Sequence, residues 1–350
     1  MKSRTFDGRF GLFIIPLAAL VVYMVTSAGP AYATFPGTNG RIAFTRQITT
    51  DIAGVFTAKP DGSDEQQVPL GGTDGVEIFS DVHWSPDGRE LLIGHTLRID
   101  PSTGQCCLPF RPAIVKPDGS DYKVLTMPYA PFDGGCSVWS LDQTRLLCGF
   151  GGDHPGIFSV RSSDGGDPVR LTTYPYGGTD ARDVPTDISP DGTRFVFLRY
   201  RPGPSHGGPF PFITEQVALF VENIDGTGLR QLTPYGLAFP HEEATAHWSP
   251  DGTQIISESH DLRLFVVRID GTGLTPIKLQ TGTQQYSAFE PNWSPDGTRI
   301  IFCMFLNGQE EIYTANPDGS DVVQVTNTPT PPGSFIDENG PDWGTYPVTP

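Results

Sequence analysis

Seven histidines and a set of regularly placed carboxylates are the residues in this chain best suited to chemistry. The carboxylates fall at fixed distances before a recurring tryptophan. Asp81 precedes Trp84 by three residues, Glu290 precedes Trp293 by three, and Glu243 and Glu338 precede Trp248 and Trp343 by five. Asp183 stands five residues before Ile188, which takes the tryptophan's place in its copy. In an extended strand, residues one, three and five before a given position share a side. His83, Asp187, His247, Asn292 and Asp342 occupy the nearest of these places, and only the copy at Trp139 offers no acid. Gathered at one mouth, such carboxylates would hold a cation, an amine or a basic peptide end. The competing reading is that they hydrogen-bond neighbouring backbone and close the fold, because buried carboxylates must find partners.

The positions of these residues follow from a repeat. Trp84-Ser-Pro-Asp-Gly88, Trp248-Ser-Pro-Asp-Gly252 and Trp293-Ser-Pro-Asp-Gly297 are its clearest copies. Ile188-Ser-Pro-Asp-Gly192 lacks the Trp, and Trp139-Ser-Leu-Asp-Gln143 keeps it with a degraded turn. Each is followed by an apolar run and a second Asp-Gly turn, at Asp118, Asp164, Asp225, Asp270 and Asp318, and a sixth such turn, at Asp61, precedes them all. Self-similarity at about 40–60 residues indicates a solenoid or a propeller. Residues 289–326 show the unit: strand, Pro-Asp-Gly turn, apolar strand, third strand, second turn, fourth strand. Four antiparallel strands per unit make a propeller blade. The first blade lacks a first strand at the N-terminal side, where Gly40-Arg-Ile-Ala-Phe44 already reads as a second strand. Glu338-Asn-Gly-Pro-Asp-Trp343 supplies it, so the expected fold is an all-β, six-bladed propeller closed by the C-terminal strand.

The Trp-Ser-Pro-Asp-Gly and Pro-Asp-Gly-Ser signatures resemble the repeats of the TolB-like six-bladed propeller family. Phe35 to Phe44 is similar to the opening of its exported bacterial members. The resemblance spans roughly residues 35–346 and implies fold rather than activity. TolB carries an α/β domain ahead of its propeller, for which residues 1–33 leave no room. The expectation is therefore a propeller alone, without TolB's role in the Tol–Pal system.

Residues 1–33 read as a secretory signal: basic Lys2, Arg4 and Arg9, an apolar stretch from Phe10 to Val25, and Ala31-Tyr32-Ala33 at the cut. Residues 34–350 then form the propeller, secreted or in the periplasm and cell envelope. An uncleaved segment would instead anchor it to a membrane. Removing Lys2, Arg4, Arg9 and Asp7 takes away a net +2, so the formal charge of −17 becomes −19. That acidity argues against nucleic acid, since nothing neutralises phosphates. It suits solubility outside the cell and cationic partners, for an expected monomer that is exported. Cys106, Cys107, Cys136 and Cys148 offer alternative disulfides in such a compartment, while Cys303 in an apolar run reads as a buried thiol. Asn292-Trp-Ser294 is a glycosylation sequon on an inner strand and should be inaccessible.

Both Asp-Gly turns of a blade fall on one face, so the long connections fall on the other. These are Thr96 to Pro112, Arg201 to Thr214 with His206, Phe210 and Phe212, and Pro234 to Glu243 with His241. Function lives preferentially on such loops. The expected function is a binding or scaffold module that docks a protein, peptide or polysaccharide of the envelope on this face or at the channel mouth. The alternative is an extracellular enzyme of the sugar lyase or lactonase type using the same face. No catalytic residue is assigned. No cofactor motif is present, since no His-x-His, His-x-x-x-His or Cys-x-x-Cys spacing occurs; a divalent cation is compatible with the acidic mouth.

Overall fold

A computed structural model describes residues 35–49, 52–70, 77–97, 111–129, 135–151, 153–175, 182–201, 216–237, 245–282, 286–306, 309–329 and 338–346. These form six four-stranded antiparallel sheets. Blade one is built from Glu338–Thr345, Asn39–Thr49, Ile52–Ala58 and Gln66–Gln67, in that order from the centre outward. The expected closure is thus observed: the last strand of the chain is the innermost strand of the first blade, with Ile42 opposite Trp343 and Ala43 opposite Asp342.

The remaining blades follow in sequence. Blade two is Glu77–Trp84, Leu91–Leu97, Arg111–Val115 and Lys123–Val124. Blade three is Cys136–Trp139, Arg145–Phe150, Gly156–Arg161 and Val169–Arg170. Blade four is Asp183–Ile188, Arg194–Arg201, Gln216–Asn223 and Arg230–Gln231. Blade five is Ala246–Trp248, Gln254–Glu258, Leu264–Arg268 and Thr275–Pro276, and blade six is Ser287–Trp293, Ile300–Leu306, Gln309–Ala315 and Val323–Gln324. Inner strands touch in this order and return to blade one. Blades one and four, two and five, and three and six therefore face each other across the axis.

The second strands are buried over most of their length, as their apolar sequences require, because a neighbouring blade covers each face. The core is accordingly divided among the blade boundaries. Trp84 packs with Ala43, Val55 and Val68 of blade one, and Trp248 with Val196, Leu198 and Val221 of blade four. Trp343 packs with Ile301, Cys303 and Ile312 of blade six. Ile188 fills the corresponding place against Val138, Leu147 and Ile157.

The first turn of each blade is fixed by side chains as well as by glycine. In the copy after Trp293, the Ser294 hydroxyl donates to Asp296 Oδ1, which also accepts the Thr298 amide and hydroxyl. Gly297 supplies the left-handed corner at φ 69°. The same Ser–Asp–Thr arrangement recurs after Ile188 and Trp248. Among the described residues no helix is long and apolar enough to cross a membrane.

Candidate functional site

One tier of side chains surrounds the axis: the residues immediately before each Trp position. In blade order these are Asp342, His83, Val138, Asp187, His247 and Asn292. Asp342 thus faces Asp187, His83 faces His247, and Val138 faces Asn292. The electrostatics agree with this placement. Burial pushes the His83 imidazole down to about 3, with His247 across the channel adding to the effect. Burial pushes the Asp342 carboxyl up to about 6 against the Trp84 amide and His247, while Asp187 raises it further.

Two carboxylates of the tier tie blades together. Asp342 Oδ2 accepts the Trp84 amide at 2.6 Å, and Oδ1 accepts Asn292 Nδ2 at 2.7 Å. On the opposite side of the ring, Asp187 Oδ2 accepts the Trp248 amide at 2.8 Å and Oδ1 accepts the Ile188 amide at 2.7 Å. His247 Nδ1 lies 3.6 Å from Asp187 Oδ2. Asn292 is 3% exposed with its amide nitrogen bonded to Asp342, which leaves the sequon's acceptor inaccessible.

Strict alternation along the inner strands does not hold. Pairing with the second strand shifts between Ser80 and Val82, Cys136 and Val138, Pro185 and Asp187, and Phe289 and Asn292, and blade one shifts opposite Ala43 and Thr45. Each shift inserts an extra residue, a β-bulge. Asp81, Glu290 and Gly340 sit at these bulges with φ of 45°, 50° and 59°. The bulge separates the residue five before the Trp position from the residue one before it. The two no longer share a side.

Asp183 and Glu338 are therefore turned to blade boundaries, which corrects the expectation that they converge on the channel with the others. Asp183 is 0% exposed and forms a two-pronged pair with Arg199, Nε to Oδ1 and Nη2 to Oδ2 both at 2.7 Å. Thr172 of blade three donates to the same carboxylate at 2.8 Å. Glu338, also 0% exposed, takes Arg46 Nε at 2.5 Å together with the Thr326 and Thr328 hydroxyls of blade six. Each arginine lies over two phenylalanines, Phe197 and Phe220 for Arg199, Phe44 and Phe56 for Arg46. Blades one and four, which face each other, thus carry the same Arg–carboxylate–Thr arrangement.

The row above the tier is also acidic. Asp81 is exposed there. Glu290 is 5% exposed, and its Oε2 accepts the Gly340 amide at 2.6 Å and lies 3.4 Å from Cys303 Sγ. Glu258, at the end of the second strand of blade five, accepts the Thr245 amide at 3.0 Å, and the Glu290 amide favours its charged form. Burial pushes its carboxyl up to about 8. Nothing in the sequence pattern marked Glu258, because it lies on a second strand and outside the spacing from the Trp. Cys303 is a free, fully buried thiol, raised by burial and by the carboxylates around it. Cys136 and Cys148 form a disulfide. An unbulged strand would set Cys148 opposite Ser137; the bulge sets it opposite Cys136.

His206, Phe210, Phe212, His241 and Glu243 lie outside the described residues, as do Cys106 and Cys107. So does Gly203-Pro-Ser-His-Gly207, which has the form of a nucleophile elbow. It falls between two strands of blade four, whereas that motif works at a strand-to-helix turn. Among the described residues no group of three or more His, Cys, Asp or Glu side chains could hold a metal ion.

No protein-family profile matches the chain. An uncharacterised protein of Agrobacterium fabrum is 27% identical over 220 residues, 53% of this chain and 67% of that protein. Among solved structures, TolB from Acinetobacter baumannii superposes with a TM-score of 0.59 at 17% identity, covering 87% of this chain and 67% of that one. A putative TolB from Agrobacterium tumefaciens gives 0.53 at 18% identity, over 83% of this chain and 90% of that one. Hydrazine synthase from Kuenenia stuttgartiensis gives 0.57 at 12% identity, over 89% and 48%. Likeness at this level of identity speaks for the propeller fold alone.

Proposed function

We propose that the protein is an exported binding or scaffold module that docks a protein, peptide or polymer where the channel opens on the loop face. The observation that carries this reading is the bulged rim. Asp81 and Glu290 are non-glycine residues held in left-handed conformation, which costs of order 1–3 kcal/mol each and persists where the surroundings impose it. Such outliers cluster at ligand clamps. The rim lies at the end of the channel that carries the long connections, where a partner has the most individual surface to read. Acidic rim residues favour a partner with basic groups over nucleic acid or an anionic surface.

The test is capture from envelope extract by the purified protein, alongside a variant with residues 202–214 replaced by a tight turn and an Asp81→Asn variant. A partner held by the parent and lost by both variants supports docking on this face. A partner retained by both places the contact elsewhere. Stoichiometric metal in the purified protein, with no captured partner, would instead favour a metal-dependent enzyme.

A further inference from the structure

The tier around the channel axis combines three properties. Its acceptors are spread over opposite blades: Asp342 and Asp187 on one diameter, His83 and His247 on another. It holds no lysine or arginine, nor does the row above it, three residues before each Trp position: Asp81, Cys136, Pro185, Thr245, Glu290 and Gly340. The arginines of the adjoining strands are spent elsewhere, Arg46 on Glu65 and Glu338 and Arg199 on Asp183. Finally, His83 is half-buried and forms no hydrogen bond among the described residues; burial and His247 push its imidazole down to about 3, which keeps it neutral. A neutral imidazole carries a lone pair that can accept an N–H.

We propose that this tier binds a primary ammonium group that enters from the loop face, its N–H donors shared among His83, Asp342 and Asp187. A metal ion is a poorer match, because it needs several ligands converging at about 2.0–2.6 Å. An ammonium reaches acceptors at about 2.9 Å and tolerates a wider cage. Low-dielectric walls lined by acids of one sign concentrate the field on such a cation. The group is either the side chain of a lysine on a docked protein or the end of a free diamine. Only the route of entry rests on the loop face being the docking face, and a small amine needs no docking to reach the tier.

The experiment is thermal unfolding of the mature chain at pH 7.5 with methylammonium, putrescine or a short lysine-bearing peptide. Tetramethylammonium and sodium chloride at equal ionic strength are the controls. Binding to the folded state alone raises Tm with concentration. Putrescine or methylammonium is expected to raise it and tetramethylammonium, which has no N–H, is not. A rise with the peptide and not with the free amines assigns the group to a protein side chain and also supports the proposal.

At pH 5 about one Asp342 in ten is ionised if its pKa is about 6, so apparent affinity should fall about tenfold. The other titratable groups facing Asp342 are His83, Asp187 and His247. His83→Lys tethers an ammonium in the tier and should abolish the shift, whereas His83→Gln should keep part of it. The His83 and His247 ring resonances of the unmodified protein, which require no variant to fold, should move on adding amine. Equal shifts from methylammonium and tetramethylammonium, no shift from any amine or peptide, or unmoved ring resonances would overturn the proposal. The docking reading would then still stand or fall on its own capture experiment.

Discussion

Asp342 accepts the amide of Trp84 across a blade boundary at 2.6 Å, and the same contact joins Asp187 to Trp248 at 2.8 Å on the far side of the ring. A carboxylate one residue before a Trp position therefore binds the backbone of the next blade at that blade's Trp. This is one of the two roles open to these acids in the sequence. It leaves the carboxylate's remaining acceptor capacity available to the channel.

Removing one of these ties exposes its worth. Asp187→Ala leaves the buried Trp248 amide without its acceptor, a loss of about 1–3 kcal/mol. Urea denaturation should show a lower midpoint with an unchanged slope. Stability equal to the parent would mean that water replaces the carboxylate without loss.

The buried pairs between blades should behave asymmetrically. Arg199→Met leaves Asp183 charged and uncompensated, at a cost of about 3–5 kcal/mol, whereas Arg199→Met with Asp183→Leu should recover most of it. Melting curves of the single and double variants decide this. A double variant no better than the single would show that Thr172 and the phenylalanine stack, rather than the charge balance, hold the site.

Closure by the terminal strand predicts a severe truncation phenotype. Deleting residues 336–350 removes the inner strand of blade one, and with it Trp343 and Glu338, one of the two carboxylates paired with Arg46. Tm should fall sharply and the product should lose cooperative unfolding. An unaltered melting curve would contradict the role of this strand.

Acids and imidazole pull stability in opposite directions with pH. Glu258, pushed from 4.5 to about 8, and Asp342, pushed from 3.8 to about 6, contribute stability in full below their unfolded values. That stability is lost as pH rises through the folded ones. His83, pushed from 6.5 to about 3, contributes above 6.5 and loses its contribution as pH falls. Glu258→Gln should therefore gain in Tm over the parent as pH is raised from 5 to 8.5. A Tm difference that is constant across that range would show that Glu258 is ionised throughout.

Much of the fold was legible because the repeat encodes it redundantly. Trp, Pro-Asp-Gly and an apolar run recur at matching places, and the orphan approach to Trp343 identified the closing strand. The rim was less legible. A bulge is usually announced by glycine, and Gly340 fits that rule, but Asp81 and Glu290 adopt the same conformation without it. Glu290 also bonds the Gly340 amide of the next blade, a contact that no local pattern reveals. The bulge then decides which carboxylates turn to the channel and which to the blade boundary. Glu258 escaped notice for a related reason: it lies on a second strand, and what places it at the mouth is its bond to the Thr245 amide, 13 residues away.

The pairing of Arg46 with Glu338 joins residues 292 apart in sequence. Arg46 also pairs with Glu65, 19 residues away; at a synthesis rate of about 5–20 residues per second, it waits about 15–60 s for Glu338 to be made. Blade one can be completed only after Glu338–Thr345 has been released. Until then the ring is a broken circle with two raw ends, unable to lock however well its middle blades have formed. The chain thus carries its own timer, which holds off the final shape until residues 338–345 have been made.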